Sequence, residues 1–189
     1  NTGSHASLWN HGKVSGMAAN GSGQFVINGS GSAYRKVAAS GFATGAKTAG
    51  HYQLVVVFSE WNLDSTSKGA LGFEVVDTNG KRVVALHLYP ENALESKIRL
   101  SAASATGYQG RGYDFAGHLS SISTNAPTRV VVDFNLDTDT VIYLINGTQL
   151  KVVSDFSATS LSHLKFFTDA KWSKQNSVSI DSMGLVKLP

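Results

Sequence analysis

The sequence predicts an all-β protein, a β-sandwich in which two antiparallel sheets pack together. Two Asn-Gly pairs, Asn79-Gly80 and Asn146-Gly147, each separate two runs that are rich in Val, Leu and Ile. Asn-Gly tolerates positive φ at both central positions of a tight turn, and that geometry matches the twist of paired strands. Turn residues recur about every 8–12 residues, a spacing typical of sandwiches. No strand–helix–strand pattern or fixed-period repeat is present, so nucleotide-binding folds and solenoids are not expected.

The individual strands follow from runs of β-branched and other apolar residues. The run 51–61 has a Val-Val-Val centre, which predicts a strand buried on both faces. Asp137-Thr138 is expected to close a further hairpin, and only residues 90–94 and 157–161 have the pattern of a helical turn. Residues 107–118, rich in Gly and Tyr, predict at most an edge strand. The other predicted strands cover residues 7–14, 24–28, 33–37, 71–78, 81–88, 97–101, 129–136, 139–145, 148–153, 163–168 and 177–188.

The composition predicts one domain without disulfides. A chain of 189 residues is long enough for a single well-filled domain, residues 1–189. Charged residues make up only 15%, so much of the polar surface must come from Ser, Thr, Asn and the 19 glycines. The absence of cysteine excludes disulfides, thiolate zinc sites and a cysteine nucleophile. No apolar run approaches the ~18 residues of a membrane span, so no membrane partner is expected.

The charge balance favours an anionic partner. The net charge is +3, but the basic residues are scattered and form no run of the kind found in nucleic-acid-binding tails. An acidic polysaccharide is therefore expected as partner, and nucleic acid is not. The chain begins at Asn1 without Met or a signal-like segment, which predicts a mature or excised piece of a larger multidomain protein, secreted or extracellular.

The order of the segments resembles that of known jelly-roll proteins. The segments that carry the resemblance are residues 10–12, 31–36, 50–58, 71–75, 141–147 and 178–183. In this order they are similar to concanavalin-A-like and laminin-G-like jelly rolls, and to the carbohydrate-binding modules attached to polysaccharide-degrading enzymes. The resemblance covers almost the whole chain. It implies a lectin-like jelly roll of two sheets that binds a polysaccharide.

Aromatic side chains are the first candidates for sugar contact, because the C–H face of a sugar ring packs on an aromatic face. Trp61 and Trp172 each stand at a strand end beside polar residues, where a loop begins. Tyr108 and Tyr113 lie in the Gly-rich stretch and are further stacking candidates. Five phenylalanines are instead expected in the core: Phe58, Phe73, Phe134, Phe166 and Phe167.

Basic and amide side chains are the second set of candidates. Arg111 and Gln109 lie between the two tyrosines, and the guanidinium of Arg offers a planar fork of donors to a carboxylate or sulfate. Arg35 is expected to contact the ligand as well, and further charge is expected from Lys36, Arg99 and Lys165 if their strands line one face.

A structural calcium ion is the expected cofactor. Asp181, in the last predicted strand, resembles the position at which several jelly-roll modules place a calcium ligand. Calcium takes six to eight oxygens from distant segments, and the Asn/Gly/Ser-rich N-terminus, Asp64 or Asp77 are possible sources. The six histidines show no zinc-binding spacing. Asp137-Thr138-Asp139 is interpreted as turn chemistry, because Asp side chains cap their own turns.

Catalytic signatures are weak. The carboxylate motif of jelly-roll glucanases is absent, and so are the Arg-x-Glu-x-Arg, Gln-Ile-His and Tyr-x-Lys-x-Gly-x-Tyr motifs of jelly-roll alginate lyases. A lyase needs a base for the C5 proton and a group that neutralises the uronate carboxylate. Tyr113 or His118 would be that base, with Arg111 and Gln109 as neutralising groups.

The sequence therefore favours a non-catalytic carbohydrate-binding module for an acidic polysaccharide, uronate or sulfated. The first alternative is a small polysaccharide lyase of the same fold that acts by β-elimination. The second is a structural or adhesive domain in which Trp61 and Trp172 belong to the core.

Overall fold

The computed structural model describes residues 10–14, 17–19, 25–27, 31–36, 48–62, 70–89, 97–103, 113–114, 127–168 and 177–189. These residues form strands and turns and contain no helix. The strands are β1 (Asn10–Val14), β2 (Met17–Ala19), β3 (Phe25–Ile27), β4 (Gly31–Lys36), β5 (His51–Asn62), β6 (Leu71–Val76), β7 (Arg82–Tyr89), β8 (Lys97–Ala102), β9 (Tyr113–Asp114), β10 (Thr128–Asn135), β11 (Thr140–Ile145), β12 (Thr148–Val153), β13 (His163–Thr168) and β14 (Ser177–Lys187).

The strands make two antiparallel sheets, as predicted. Sheet A has the order β1-β4-β13-β6-β7-β8-β9, and sheet B has the order β12-β11-β10-β5-β14-β3-β2. Half of the neighbouring pairs join strands that are not consecutive in the chain: for example, β13 lies between β4 and β6, and β14 lies between β5 and β3. Among the residues described, no helix is available that is long and apolar enough to cross a membrane.

The core lies between the two sheets and is built by alternate residues of each strand. Phe73 of sheet A stacks on Phe166 with ring centroids 4.9 Å apart, and it meets Phe58 of sheet B edge-on at 5.9 Å. All three side chains are at most 1% exposed. Burying an aromatic or branched aliphatic side chain of this kind contributes about 1.5–3 kcal/mol, so these rows stabilise the contact between the sheets.

Strand β5 is less deeply buried than its Val-rich sequence predicts. Tyr52, Leu54 and Val56 face the core and are fully buried, whereas Val55 and Val57 are only half-buried on the opposite face. The prediction of burial on both faces was wrong in this respect. The strand lies in the interior of sheet B between β10 and β14, and valines suit such a pleated surface even where cover is partial.

The two Asn-Gly turns have different geometries. Asn146 and Gly147 both have positive φ, 50° and 81°, as a two-residue hairpin turn requires. In the other turn only Gly80 has positive φ, 77°. There the amide of Gly80 donates to the carbonyl of Asp77 at 3.2 Å, and the ladder is shifted between Val75 and Val76. The prediction of a matching two-residue turn was therefore wrong for Asn79-Gly80, because the loop has three residues, 78–80, and is closed by the hydrogen bond from the amide of Asp77 to the carbonyl of Lys81.

Other differences from the predicted elements are local. The hairpin at Asp137-Thr138 has a wider loop, residues 136–139, and Asn135 rather than Asp137 caps it: Asn135 Oδ1 accepts from the amide of Asp137 at 2.8 Å. Strand β2 was not predicted. Residues 157–161 form no helical turn, and residues 90–94 lie outside the described part of the chain. In the stretch 107–118 the structure describes only β9.

Candidate functional site

The outer face of sheet A, the face turned away from the core, carries a connected set of polar side chains. Strand residues alternate between faces, so Gly72 and Glu74 lie opposite to the core residue Phe73 in β6. The register then defines two adjacent rows on this face. They are Lys165, Glu74, Ala85 and Ser101, and Phe167, Gly72, His87 and Arg99.

Glu74 is the acceptor around which this face is organised. Its Oε1 lies 2.5 Å from Nη2 of Arg82 and 3.0 Å from Nε2 of His87, and its Oε2 lies 3.6 Å from Nζ of Lys165. Glu74 and His87 are each only 4% exposed. Buried carboxylates of this kind are tolerated when charged partners compensate for the lost hydration.

The environment keeps Glu74 ionised. Burial by itself would raise the pKa of Glu74, but the hydrogen bond from His87 and the positive charges of Arg82 and Lys165 outweigh that effect, and the pKa lies below its ordinary value. A carboxylate held in this state accepts hydrogen bonds and does not donate a proton at neutral pH. Glu74 therefore positions basic groups on this face rather than acting as an acid.

Phe167 lies on this face too, which corrects its predicted place in the core. It is half-buried, it meets His87 edge-on at 5.9 Å, and Nζ of Lys165 lies 4.5 Å from its ring centroid. The ring covers Gly72, where an added Cβ would be 2.8 Å from Cδ2 of His87 and closer still to Phe167. The other four phenylalanines are in the core as predicted.

The sequence contained a signal for Phe167 that the prediction missed. In β13, Leu164 and Phe166 are two residues apart and share the core face, so Phe167 is out of phase with them. Glu74 and His87 were also missed. A single Glu in one apolar strand and a single His in another do not indicate a site until the register of the two strands shows that they are neighbours.

The predicted ligand-binding residues are only partly described. Trp172, Tyr108, Gln109, Arg111 and His118 lie outside the described residues. For three others the structure describes the backbone position alone: Trp61 in β5 pairs with Val178, Tyr113 in β9 pairs with Leu100, and Arg35 in β4 pairs with Leu164. Their contacts with a ligand stay predictions. Arg99 and Lys165 do lie on one face, as the sequence analysis required for them to add charge together.

The described residues contain no group of three or more His, Cys, Asp or Glu that could hold a metal ion. Asp181 is exposed in β14 of sheet B. Asp77, one possible second ligand, is engaged in its own turn, where Oδ1 accepts from the amides of Asn79 and Lys81 at 2.8 and 2.7 Å. Asp64 and much of the N-terminus lie outside the described residues, so the calcium site stays a prediction.

Comparison with known proteins identifies the fold. No family model matches the chain, and no match was found among curated protein sequences. The carbohydrate recognition domain of Emp47p is 14% identical, with 99% of this chain and 91% of that chain covered and a TM-score of 0.65. The potassium-bound form of the Emp46p carbohydrate recognition domain is also 14% identical, covers 95% and 88%, and has a TM-score of 0.60.

An enzyme shares the same architecture. Alginate lyase A1-II′, a member of polysaccharide lyase family 7, is 10% identical over 93% of this chain and 84% of that chain, with a TM-score of 0.62. The predicted lectin-like jelly roll is thus confirmed as the fold of this chain. Because this fold carries both recognition domains and a lyase, fold alone does not select between binding and catalysis.

Proposed function

We propose that this chain is a non-catalytic carbohydrate-binding domain that recognises an acidic polysaccharide with the outer face of sheet A. The observation that carries the proposal is the arrangement around Glu74, where a buried, ionised carboxylate holds basic side chains beside a half-buried aromatic ring. Glu74, His87, Ala85 and Ser101 are buried, so the contacts are offered by the half-buried members of the face. Phe167 provides an apolar ring, and Lys165 and Arg99 provide cations, the two contacts that an acidic sugar requires.

The charge of this face supports an anionic ligand. Arg82, Lys165 and Arg99 carry positive charge there, and two residues oppose it: Glu74, and Asp114 of β9, which is paired with Arg99. The outer face of sheet B differs, because Asp133 lies there between His51 and Gln53 and accepts from them at 2.6 and 2.7 Å. Three basic and two acidic residues thus leave this face of sheet A with a small excess of positive charge.

Phe167 is the proposed stacking residue on this face. Trp172 and Tyr108 are proposed as further ring contacts, and Arg111 as a further donor to carboxylate or sulfate. Trp61, Tyr113 and Arg35 pair with the core residues Val178, Leu100 and Leu164, so they are not assigned to this face. The domain would belong to a larger secreted protein. A bound ion near Asp181 is part of the same proposal, supported by the potassium-bound form of the similar Emp46p domain.

The experiment that tests the proposal is affinity electrophoresis in gels containing alginate, pectin, carrageenan, agar, xylan or cellulose. We expect retardation by an acidic polymer. Phe167→Ala should weaken that binding about two- to tenfold, because an aromatic contact of this type contributes about 0.5–1.5 kcal/mol. Ile142→Ala is the matched control: it removes a half-buried apolar side chain from sheet B. Equal retardation of both variants and wild type would contradict the proposed face.

The alternative function is polysaccharide lysis by β-elimination. Two observations favour it: the shared architecture with alginate lyase A1-II′, and His87 beside Arg99 on one face. The same incubations distinguish the functions, because elimination creates an unsaturated product that absorbs in the ultraviolet. Rising absorbance would overturn the binding proposal and make His87, Tyr113 and His118 the first residues to substitute. No retardation and no absorbance would favour a structural domain.

A further inference from the structure

A pocket opens where the β6–β7 turn approaches the start of β13. Its volume is about 530 Å³, within the range of about 300–1,000 Å³ that is usual for small-molecule sites. The lining residues come from β6, the β6–β7 turn, the start of β7, and β13: Glu74, Val76, Gly80, Lys81, Arg82, His163 and Lys165. We call this cavity the hairpin pocket.

The lining of the hairpin pocket is predominantly basic. Lys81, Arg82 and Lys165 are cationic, His163 can add a fourth positive charge, and Glu74 is the single carboxylate among the described lining residues. With His163 neutral, three cations and one carboxylate leave a net charge of two positive units. Glu74 is almost completely buried, whereas the side chains of Arg82 and Lys165 are 30% and 42% exposed. Among the lining residues the cations are therefore more accessible than Glu74, and the carboxylate of the turn, Asp77, is engaged by the amides of Asn79 and Lys81.

The turn at the mouth of the pocket is held in place before any ligand binds. Asp77 Oδ1 accepts from the amides of Asn79 and Lys81, and the amide of Asp77 donates to the carbonyl of Lys81 at 2.8 Å. Gly80 has a φ of 77°, and an added Cβ there would meet nothing within 4 Å. The backbone that carries Lys81 is thus fixed. Gly80, which has no side chain, leaves the mouth of the pocket open. Preorganisation of this kind lowers the cost of binding.

We infer that the hairpin pocket binds the oxyanion group, a carboxylate or a sulfate ester, of one sugar residue in the polysaccharide. The inference rests on the proposed function and assigns the recognition of acidity to a particular site. Arg82 is positioned by its ion pair with Glu74 and contributes positive charge to the lining, and the two lysines act as point charges around it. Val76 is the apolar side chain of the lining, but it is buried and is not assigned a contact with the sugar ring.

The first test observes the pocket directly, with small probes. Backbone amide NMR signals of the wild type would be followed while sodium galacturonate or sodium sulfate is added, with sodium chloride at the same ionic strength as reference. We expect saturable shifts at Lys81, Arg82 and His163 with an oxyanion and none with chloride. Absence of saturable shifts at these residues would overturn the inference.

The second test links the pocket to the polymer. Lys81→Glu should weaken binding of an acidic polymer about tenfold, since it replaces an attraction with a repulsion at the mouth. Lys187→Glu is the matched control, because Lys187 is exposed on sheet B. Polygalacturonate reports carboxylate recognition, carrageenan reports sulfate recognition, and xylan serves as the weakly charged comparison.

The outcomes separate the two proposals. Binding that falls with Lys81→Glu and not with Lys187→Glu supports the pocket, and equal losses in both variants would overturn it in favour of diffuse attraction. If acidic polymers retard the protein but the amide NMR signals of the hairpin pocket do not shift, the inference about the pocket is overturned and the proposed function stays intact. Saturable shifts without binding of any polymer would overturn the proposed function while supporting an oxyanion site.

Discussion

Glu74 is a buried carboxylate that takes its basic partners from two neighbouring strands. Arg82 and His87 come from β7 and Lys165 comes from β13, so one side chain joins three strands of sheet A. Its folded-state pKa is lowered. The stabilisation from this ionisation is therefore fully present above the unfolded pKa, about 4.5, and is lost as the pH falls through the lower folded value.

We expect Glu74→Gln to lower the free energy of unfolding at pH 7 by about 2 kcal/mol, because it leaves the basic partners without an ionised acceptor. Below pH 4.5 the stability of the variant should also fall less steeply than that of the wild type, since Gln does not titrate. Urea unfolding between pH 2 and 7 measures both effects (the range spans about two units on either side of the carboxyl pKa). Parallel pH profiles for the two proteins would contradict the assignment of Glu74 as an ionised, paired group.

Gly72 is required by the close approach of two rings. Gly72→Ala should destabilise the protein by about 1–3 kcal/mol, the usual cost of overpacking, and should displace Phe167 from the outer face. Gly184→Ala is the control: Gly184 also lies within a strand, and an added Cβ there meets nothing within 4 Å. Thermal or urea unfolding of both variants measures the difference. Equal stability of the two would show that Phe167 moves aside without cost.

At the scale of elements, the two hairpins show how one dipeptide forms different turns. In the β11–β12 turn, Asn146 has positive φ and its Oδ1 accepts from the amide of Arg129 at 2.8 Å, which connects the turn to β10. In the β6–β7 turn, Asp77 provides the side-chain acceptor instead. Asn79 is exposed there, and Gly80 alone adopts the left-handed conformation.

Substitution of the two asparagines should separate these roles. We expect Asn146→Ala to cost about 1–2 kcal/mol, because Ala is strained at positive φ and the bond to Arg129 is lost. Asn79→Ala should change stability by less than about 0.5 kcal/mol, as exposed substitutions usually do. The free energies of unfolding in urea provide the comparison. A larger loss for Asn79→Ala would be inconsistent with the turn geometry.

At the scale of the whole molecule, the last described strand holds sheet B together. β14 pairs with β5 from Ser177 to Lys187 and with β3 on its other side, and Val178 and Ile180 are buried in the core. Strands β3 and β2 reach the rest of sheet B through β14. The C-terminal segment is therefore an interior strand.

A chain that ends at residue 176 should not fold cooperatively, because sheet B would be divided and the core opened along β5. A chain that ends at residue 188 loses only Pro189, which is exposed, and should retain wild-type stability. Circular dichroism during heating compares the two. A cooperative transition in the shorter chain would show that sheet B does not depend on β14.

Much of the fold was predictable, because its signals are local. Strands β5, β6, β7, β10, β11, β12, β13 and β14 were predicted within about two residues of their observed ends, the usual uncertainty of boundaries. Short strands of two or three residues, such as β2 and β9, contain too few residues for a pattern. The turn at Asn79-Gly80 was mispredicted because the capping residue, Asp77, stands outside the dipeptide.

The candidate site was predictable only in its chemistry. The turn signals and the strand pattern by themselves determined a sandwich of two antiparallel sheets, because these are properties of the chain alone. The jelly roll was what the resemblance in segment order implied, and the basic balance led to the expectation of an anionic partner. Only the tertiary structure decided that Glu74, His87 and Lys165 meet and that Phe167 lies beside them. The physical reason is that their strands are paired across long stretches of sequence, and register alone determines which side chains share a face.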